Sequence, residues 1–263
     1  MGLSENVTQH FRSSELPFLR QASDWLEQAQ TEYRPILTDF LNARERYLLT
    51  TLVNRQPELH IQMDGGYPQA EMQRALLFPE YFNPMSSDFE LALLEINYPV
   101  KFATLEHRQV LGSLMGSGIE RNVLGDIITD GTRWQLITKR EIAPYLQQTV
   151  IEMGRTKVKL EPRSFTELLQ VQDDAQAVHT TLPSLRLDVV IATLFRVSRA
   201  VAKDLVTRGK VRLNWFTYDK PDYELALHDL VSVRGLGRIK LNENDGFSKK
   251  GKIKAEFDVI KNK

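Results

Sequence analysis

The chain has 263 residues, is 42% apolar and 26% charged, and carries no net charge at neutral pH; this is the composition of a globular protein with room for two domains. It contains no cysteine, which excludes a disulfide framework and any thiolate metal site. No apolar run approaches the length of a membrane span, and Met1 to Leu16 lack the basic start and apolar stretch of a secretory signal, so a cytoplasmic location is expected.

Residues 1–55 read as a helical segment. Phe11, Leu16, Phe18 and Leu19 are followed by Trp25, Leu26 and Ala29, and Pro35 is expected to open a further helix carrying Phe40, Leu41, Tyr47, Leu48 and Leu52. Arg44, Arg46 and Arg55 give that helix a basic side, read as a solvated face rather than an RNA contact. Residues 56–165 read as an α+β domain. Strands are expected at Leu59–Met63, at Ala75–Phe78 after a short helix from Gln69, and at Phe89–Tyr98. A helix follows over Leu105–Met115, then a hairpin of Val123–Thr129 and Trp134–Ile137 about Asp130-Gly131. A helix over Lys139–Met153 and a strand over Thr156–Leu160 complete it, a pattern like the sheet-and-two-helix RNA-recognition folds. Residues 166–182 are polar and read as a linker.

Residues 183–245 read as a compact basic module. Leu185, Leu187, Val190, Ile191 and Leu194 lie at helical spacing, and a break follows at Phe195-Arg196-Val197. Ser198 is a good N-cap for a second helix, which stops at Gly209. Strands are expected at Lys210–Leu213 and Leu230–Arg234. Arg199 and Lys203 share one helical face, while Val201 and Leu205 share another that can pack inward. Arg196, Arg208, Lys210 and Arg212 surround the turn and strand that follow. Several fixed cations on a rigid scaffold are what a phosphate backbone requires. Residues 246–263 form a lysine-rich tail with a possible last strand at Ile253–Ile260. Residues 183–263 hold 17 Lys and Arg against 10 Asp and Glu, and the rest of the chain 17 against 24. Nucleic acid is therefore expected at the C-terminal part, and a protein partner is one use for the acidic body.

The basic module resembles the S4 RNA-binding domain. The matching residues are Arg186-Leu187-Asp188, Ser198-Arg199, Ala202, Leu205, Gly209-Lys210-Val211, Asn214, Lys220-Pro221, Tyr223, Asp229 and Val231. Trp215 and His228 stand where that family usually carries glycine, which sets a large side chain in a tight turn; partial burial is expected for Trp215. In the central part, His107-Arg108-Gln109, Leu111-Gly112, Gly116, Gly118-Ile119, Arg121 and Gly125-Asp126-Ile127 resemble the signature of the YlmH family, which often has an acidic residue at the position of Gln109. The resemblance covers nearly the whole chain. It implies an α+β protein with a C-terminal αL-type helix–turn–helix and small sheet. It also implies a ribosome-associated factor that meets ribosomal RNA and tRNA on a large subunit bearing a stalled nascent chain. The residues expected to bind RNA are Arg186, Arg196, Ser198, Arg199, Lys203, Arg208, Lys210, Arg212 and Lys220.

No cofactor, metal site or catalytic residue is expected. The segment Gly112 to Gly118 lacks the Gly-Lys-Ser/Thr ending of a phosphate loop and follows a helix, so a helix ending at glycines is the simpler reading. The five histidines are scattered, and an acid–base pair of His107 and Asp126 is less expected than a structural histidine. Two alternatives stay open: an RNA-modifying enzyme that docks through the module, and a protein-interaction factor linked to cell division.

Overall fold

The computed structural model describes residues 15–170 and 175–262. The early apolar Phe11 lies outside the described residues, as do residues 171–174 of the expected linker. The chain is α+β and divides into two compact units, Met1–Val171 and Gln172–Lys263.

The first unit opens with α1 (Leu16–Thr31), strand β1 (Ile36–Leu41) and α2 (Ala43–Val53). Leu19, Ala22, Leu26 and Ala29 recur at helical spacing and are the buried stripe of α1. Asn42 caps α2 by accepting from the amides of Arg44 and Glu45, and Glu45 returns the contact to the Asn42 amide. Strands β2 (Leu59–Asp64) and β3 (Gln73–Pro79) then complete a three-stranded antiparallel sheet in the order β1-β3-β2. The expected all-helical segment is thus interrupted. Ile36 to Leu41 alternates buried and half-buried residues and pairs with β3, so this sheet joins residues on both sides of position 55. The expected helix from Gln69 is instead a loop running into β3. Asp126 holds that loop by accepting from Tyr67 Oη and from the amides of Glu71 and Met72. Arg44 is buried in an ion pair with Glu15, and Arg46 donates to the Glu71 carbonyl, so neither sits on a solvated basic face.

The second half of this unit runs through β4 (Leu91–Asn97), α3 (His107–Gly116), β5 (Leu124–Thr129), β6 (Trp134–Lys139) and α4 (Ala143–Thr149). The short pair β7 (Glu152–Met153) and β8 (Thr156–Lys157) precedes β9 (Lys159–Arg163). The sheet order is β5-β6-β4-β9, with α3 and α4 closing over a core of Leu94, Val110, Leu114, Leu136 and Leu146. Buried Glu95 is bridged by Arg133 and Arg163, so its carboxyl is held below the ordinary range, chiefly by the Arg133 hydrogen bond.

The second unit contains β10 (Gln176–Leu182), α5 (Leu187–Phe195), α6 (Arg199–Thr207), β11 (Val211–Leu213), β12 (Phe216–Thr217), β13 (Leu230–Val233), β14 (Gly237–Phe247) and β15 (Ile253–Lys261). They form one six-stranded sheet in the order β10-β15-β14-β13-β11-β12. The expected linker is corrected here, because residues 176–182 pair along their whole length with β15. The last strand expected at Ile253–Ile260 is present as β15, and it lies inside the sheet between β10 and β14. Val211, Val231, Val233, Ile239, Leu241, Phe257 and Val259 point to one side and pack against Val190, Ile191, Ala202 and Val206 of the helices. Val201, expected to pack inward, is 47% exposed, and Ala202 and Val206 take the inward positions.

Candidate nucleic-acid interface

Two helix ends and one loop set the geometry of the basic module. Arg196 closes α5 in the left-handed conformation, at φ 56°, and turns the chain into α6. Ser198 caps α6 by accepting from the Val201 amide, so its hydroxyl supports the helix. At the far end Lys210 donates to the Leu205 carbonyl and Gly209 to that of Val206, a Schellman closure with Gly209 at φ 65°. The loop after β12 caps α5, with the Leu187 amide donating to the Tyr223 carbonyl and that of Asp188 to the Pro221 carbonyl. This brings Lys220 to the α5 N-terminus.

Asp188 is the electrostatic centre of the helix side. Its side chain is 3% exposed, and it accepts from Arg199 Nε at 2.9 Å and Arg186 Nε at 3.2 Å. Burial opposes ionisation of this carboxyl. The hydrogen bonds from Arg186 and Arg199 outweigh it and hold the group below its ordinary value. The two guanidiniums remain 36% and 60% exposed, so they are positioned by Asp188 while still facing water. Arg208 is paired with Asp204 on the surface.

The nine residues expected at the interface therefore fall into distinct roles. Arg186, Arg199 and Arg208 are in ion pairs, and Ser198 is a cap. Among the described residues, the side chains of Arg196, Lys203, Lys210, Arg212 and Lys220 make no hydrogen bond or ion pair within the protein. All five are exposed, which leaves their charge available to an external anion. They do not form one surface. Arg199 and Lys203 lie on the helices, whereas Arg212 alternates with inward Val211 and Leu213 and so points from the opposite side of the sheet.

That opposite side holds cations the sequence reading missed. Arg212 pairs with Ser232 and Ser232 with Arg238, so the three side chains share one row, with Lys240 in the next. The alternation of Arg238 and Lys240 with buried Gly237, Ile239 and Leu241 was the available signal. The Arg238 guanidinium lies 5.3 Å from the centre of the Trp215 ring. Trp215 is half-buried, as expected, and forms with Asn214 the two-residue turn between β11 and β12, at φ 75° and 46°. His228 has φ 67°, so both residues at the expected glycine positions keep the left-handed backbone. Asp229 accepts from Asn214 Nδ2, Tyr223 Oη and the Ala226 amide, while Asn214 accepts from the Leu230 amide. These recurrent polar residues hold the module together from inside.

In the first unit the glycine-rich segment forms the end of α3 and the turn beyond it, with Gly118 at φ 89°. Gln109 accepts from the Glu106 amide at the start of α3, a contact that an acidic side chain makes equally well. His107 packs beside Trp134, while Asp126 is engaged by Tyr67 and two amides, so the His107–Asp126 pair does not form. Among the described residues no helix is long and apolar enough to cross a membrane.

Three family models match consecutive parts of the chain: "YlmH, N-terminal" over residues 15–82, "Putative RNA-binding domain in YlmH" over 84–167, and "S4 domain" over 185–231. The break between the first two follows the three-stranded sheet. A curated relative from Bacillus subtilis (strain 168), Ribosome-associated protein quality control protein P2, is 39% identical over 253 residues, covering 96% of this chain and 98% of the relative. Among solved structures, Cell division protein ylmH from Streptococcus pneumoniae is similar with a TM-score of 0.54 and 36% identity, covering 61% of this chain and 98% of that one. With a basic, helix-capped S4 module behind two YlmH-type regions, the chain belongs to the YlmH family of S4-domain RNA-binding proteins.

Proposed function

We propose that the chain is a non-enzymatic RNA-binding factor that associates with the ribosome. It takes large-subunit ribosomal RNA and tRNA on the S4 module during rescue of stalled nascent chains. The observation that carries the reading is the set of exposed, unpaired cations Arg196, Lys203, Lys210, Arg212 and Lys220 on a scaffold fixed by caps and by Asp188. Counterion release by such a set gives binding that weakens steeply with salt. The ribosomal partner is supported by the Bacillus relative, which is named as a ribosome-associated protein.

The test is sedimentation of cell lysate through a sucrose gradient, with wild type beside Lys203→Ala/Arg212→Ala. Wild type should run with the large-subunit peak and the variant should stay near the top. Wild type at the top in low salt, with no RNA recovered, would remove the ribosomal reading. Turnover of a modified base by the purified protein would replace it with the enzymatic one. A second reading, a protein partner for the acidic first unit, is favoured by exposed Tyr33 and Tyr81, whose tilted rings lie 5.1 Å apart on its surface. RNA-independent capture of a division protein, lost in Tyr81→Ala, is its test.

A further inference from the structure

We propose that the face of the six-stranded sheet opposite α5 and α6 is a second RNA surface, which takes an unpaired strand across Arg212, Arg238 and Lys240 and stacks a base beside Trp215. This rests on the RNA-binding reading of the module, but it concerns a face that the helices do not share.

The register defines the face. One alternation phase of β11, β13, β14 and β15 is apolar and lies under the helices. The other phase presents Thr217, Arg212, Ser232 and Arg238 in a single row, followed by Leu230 and Lys240. Strands in a sheet lie about 4.8 Å apart, so Arg212 and Arg238 stand roughly 10 Å apart with Ser232 between them. The charge is graded along the same face. Asp258 stands opposite Lys240, and Glu256 opposite Glu243, so an acidic group of three carboxylates borders the cations, with Lys254 beyond it at the start of β15. Phosphate is attracted to Arg212, Arg238 and Lys240 and repelled from Glu243, Glu256 and Asp258, which directs an RNA strand along the row of cations.

Trp215 supplies the second argument. It occupies the second position of a two-residue turn, with φ 75°, where glycine is unstrained and a bulky residue is not. Its ring is held against the sheet face by Arg238 at 5.3 Å. A planar guanidinium over an indole ring, on a basic strip, forms the platform on which unpaired bases stack with little sequence preference.

The experiment measures binding of two probes, a 12-nucleotide oligouridylate and purified ribosomal RNA, to the full chain. Three proteins are compared with wild type: Trp215→Gly, Arg212→Ala/Arg238→Ala, and the helix-side variant Lys203→Ala/Arg196→Gly. Glycine suits the turn, so Trp215→Gly melts no lower than wild type and its effect is not misfolding. Both sheet-face variants should lose about ten-fold in affinity for the oligouridylate, while the helix-side variant weakens on ribosomal RNA and changes by less than roughly three-fold on the oligouridylate. Unchanged oligouridylate binding by the sheet-face variants, or a wild type that binds ribosomal RNA but not the oligouridylate, overturns the inference and leaves the RNA-binding reading standing. A wild type that binds neither probe overturns both.

Discussion

Replacing Asp188 by Asn removes the carboxylate that Arg186 and Arg199 share while keeping the volume of the side chain. The lost contacts are the charge-assisted hydrogen bonds from Arg199 and Arg186 at 2.9 and 3.2 Å. Breaking a fully buried pair costs about 3–5 kcal/mol. Here the carboxylate is buried but the guanidiniums are 60% and 36% exposed and can return to water. Asn also retains one acceptor oxygen. The expected cost is therefore about 2 kcal/mol, between that limit and the value of one charged hydrogen bond. For a unit of this size that corresponds to a midpoint lower by about 8–16 °C. Calorimetry of the full chain should show the transition of the second unit moving, with that of the first in place. The acid side supplies a sign. The folded Asp188 carboxyl lies below its ordinary value of 3.8, so its contribution is present above that value and lost as pH falls through the lowered one. The Asn variant should lack this acid-dependent step. An unchanged midpoint at pH 7 would refute the assignment of Asp188 as the centre that orients the helix-side arginines.

Arg196→Gly should raise stability by about 1 kcal/mol, because glycine adopts the left-handed α5 terminus without strain, while salt-dependent RNA affinity falls; thermal melts beside filter binding would show the two moving in opposite directions. Lys203→Ala should weaken RNA binding and flatten its salt dependence without moving the melting midpoint. Arg199→Ala, which also breaks the Asp188 pair, should do both. Gly237→Ala should unfold the second unit, since at φ 139° an added Cβ falls 1.9 Å from the Ile260 carbonyl oxygen; circular dichroism of the variant would show the loss.

The helix–turn–helix was readable in the sequence because its signals are local. Ser198 and Gly209 bracket α6, and the Leu187-to-Leu194 spacing gives α5. The hairpin of β5 and β6 about Asp130-Gly131 was legible for the same reason. Strand β1 was not, because Phe40 and Leu41 also suit a helix and their partner β3 lies some thirty residues on. Strand β10 was hidden by its polarity: in Gln176–Leu182 only Leu182 is fully buried, and its partner follows more than seventy residues later. The interface divided in the same way. The Arg199 and Lys203 face follows from helical spacing alone, but the Asp188 clamp needs two helices to meet. The Arg212–Ser232–Arg238 row needs three strands in register.

The place of β15 between β10 and β14 also constrains how the second unit is made. During synthesis β10 emerges first and finds no strand to join until residues 253–261 follow. At about 5–20 residues per second, the intervening chain takes roughly 4–14 s. Through that interval α5, α6 and the β11–β13 ladder can assemble from local contacts, while β10 and β14 expose unpaired edges. The basic helix side therefore exists before the sheet is closed, and a chain interrupted before β15 would display it on an unfinished, association-prone module.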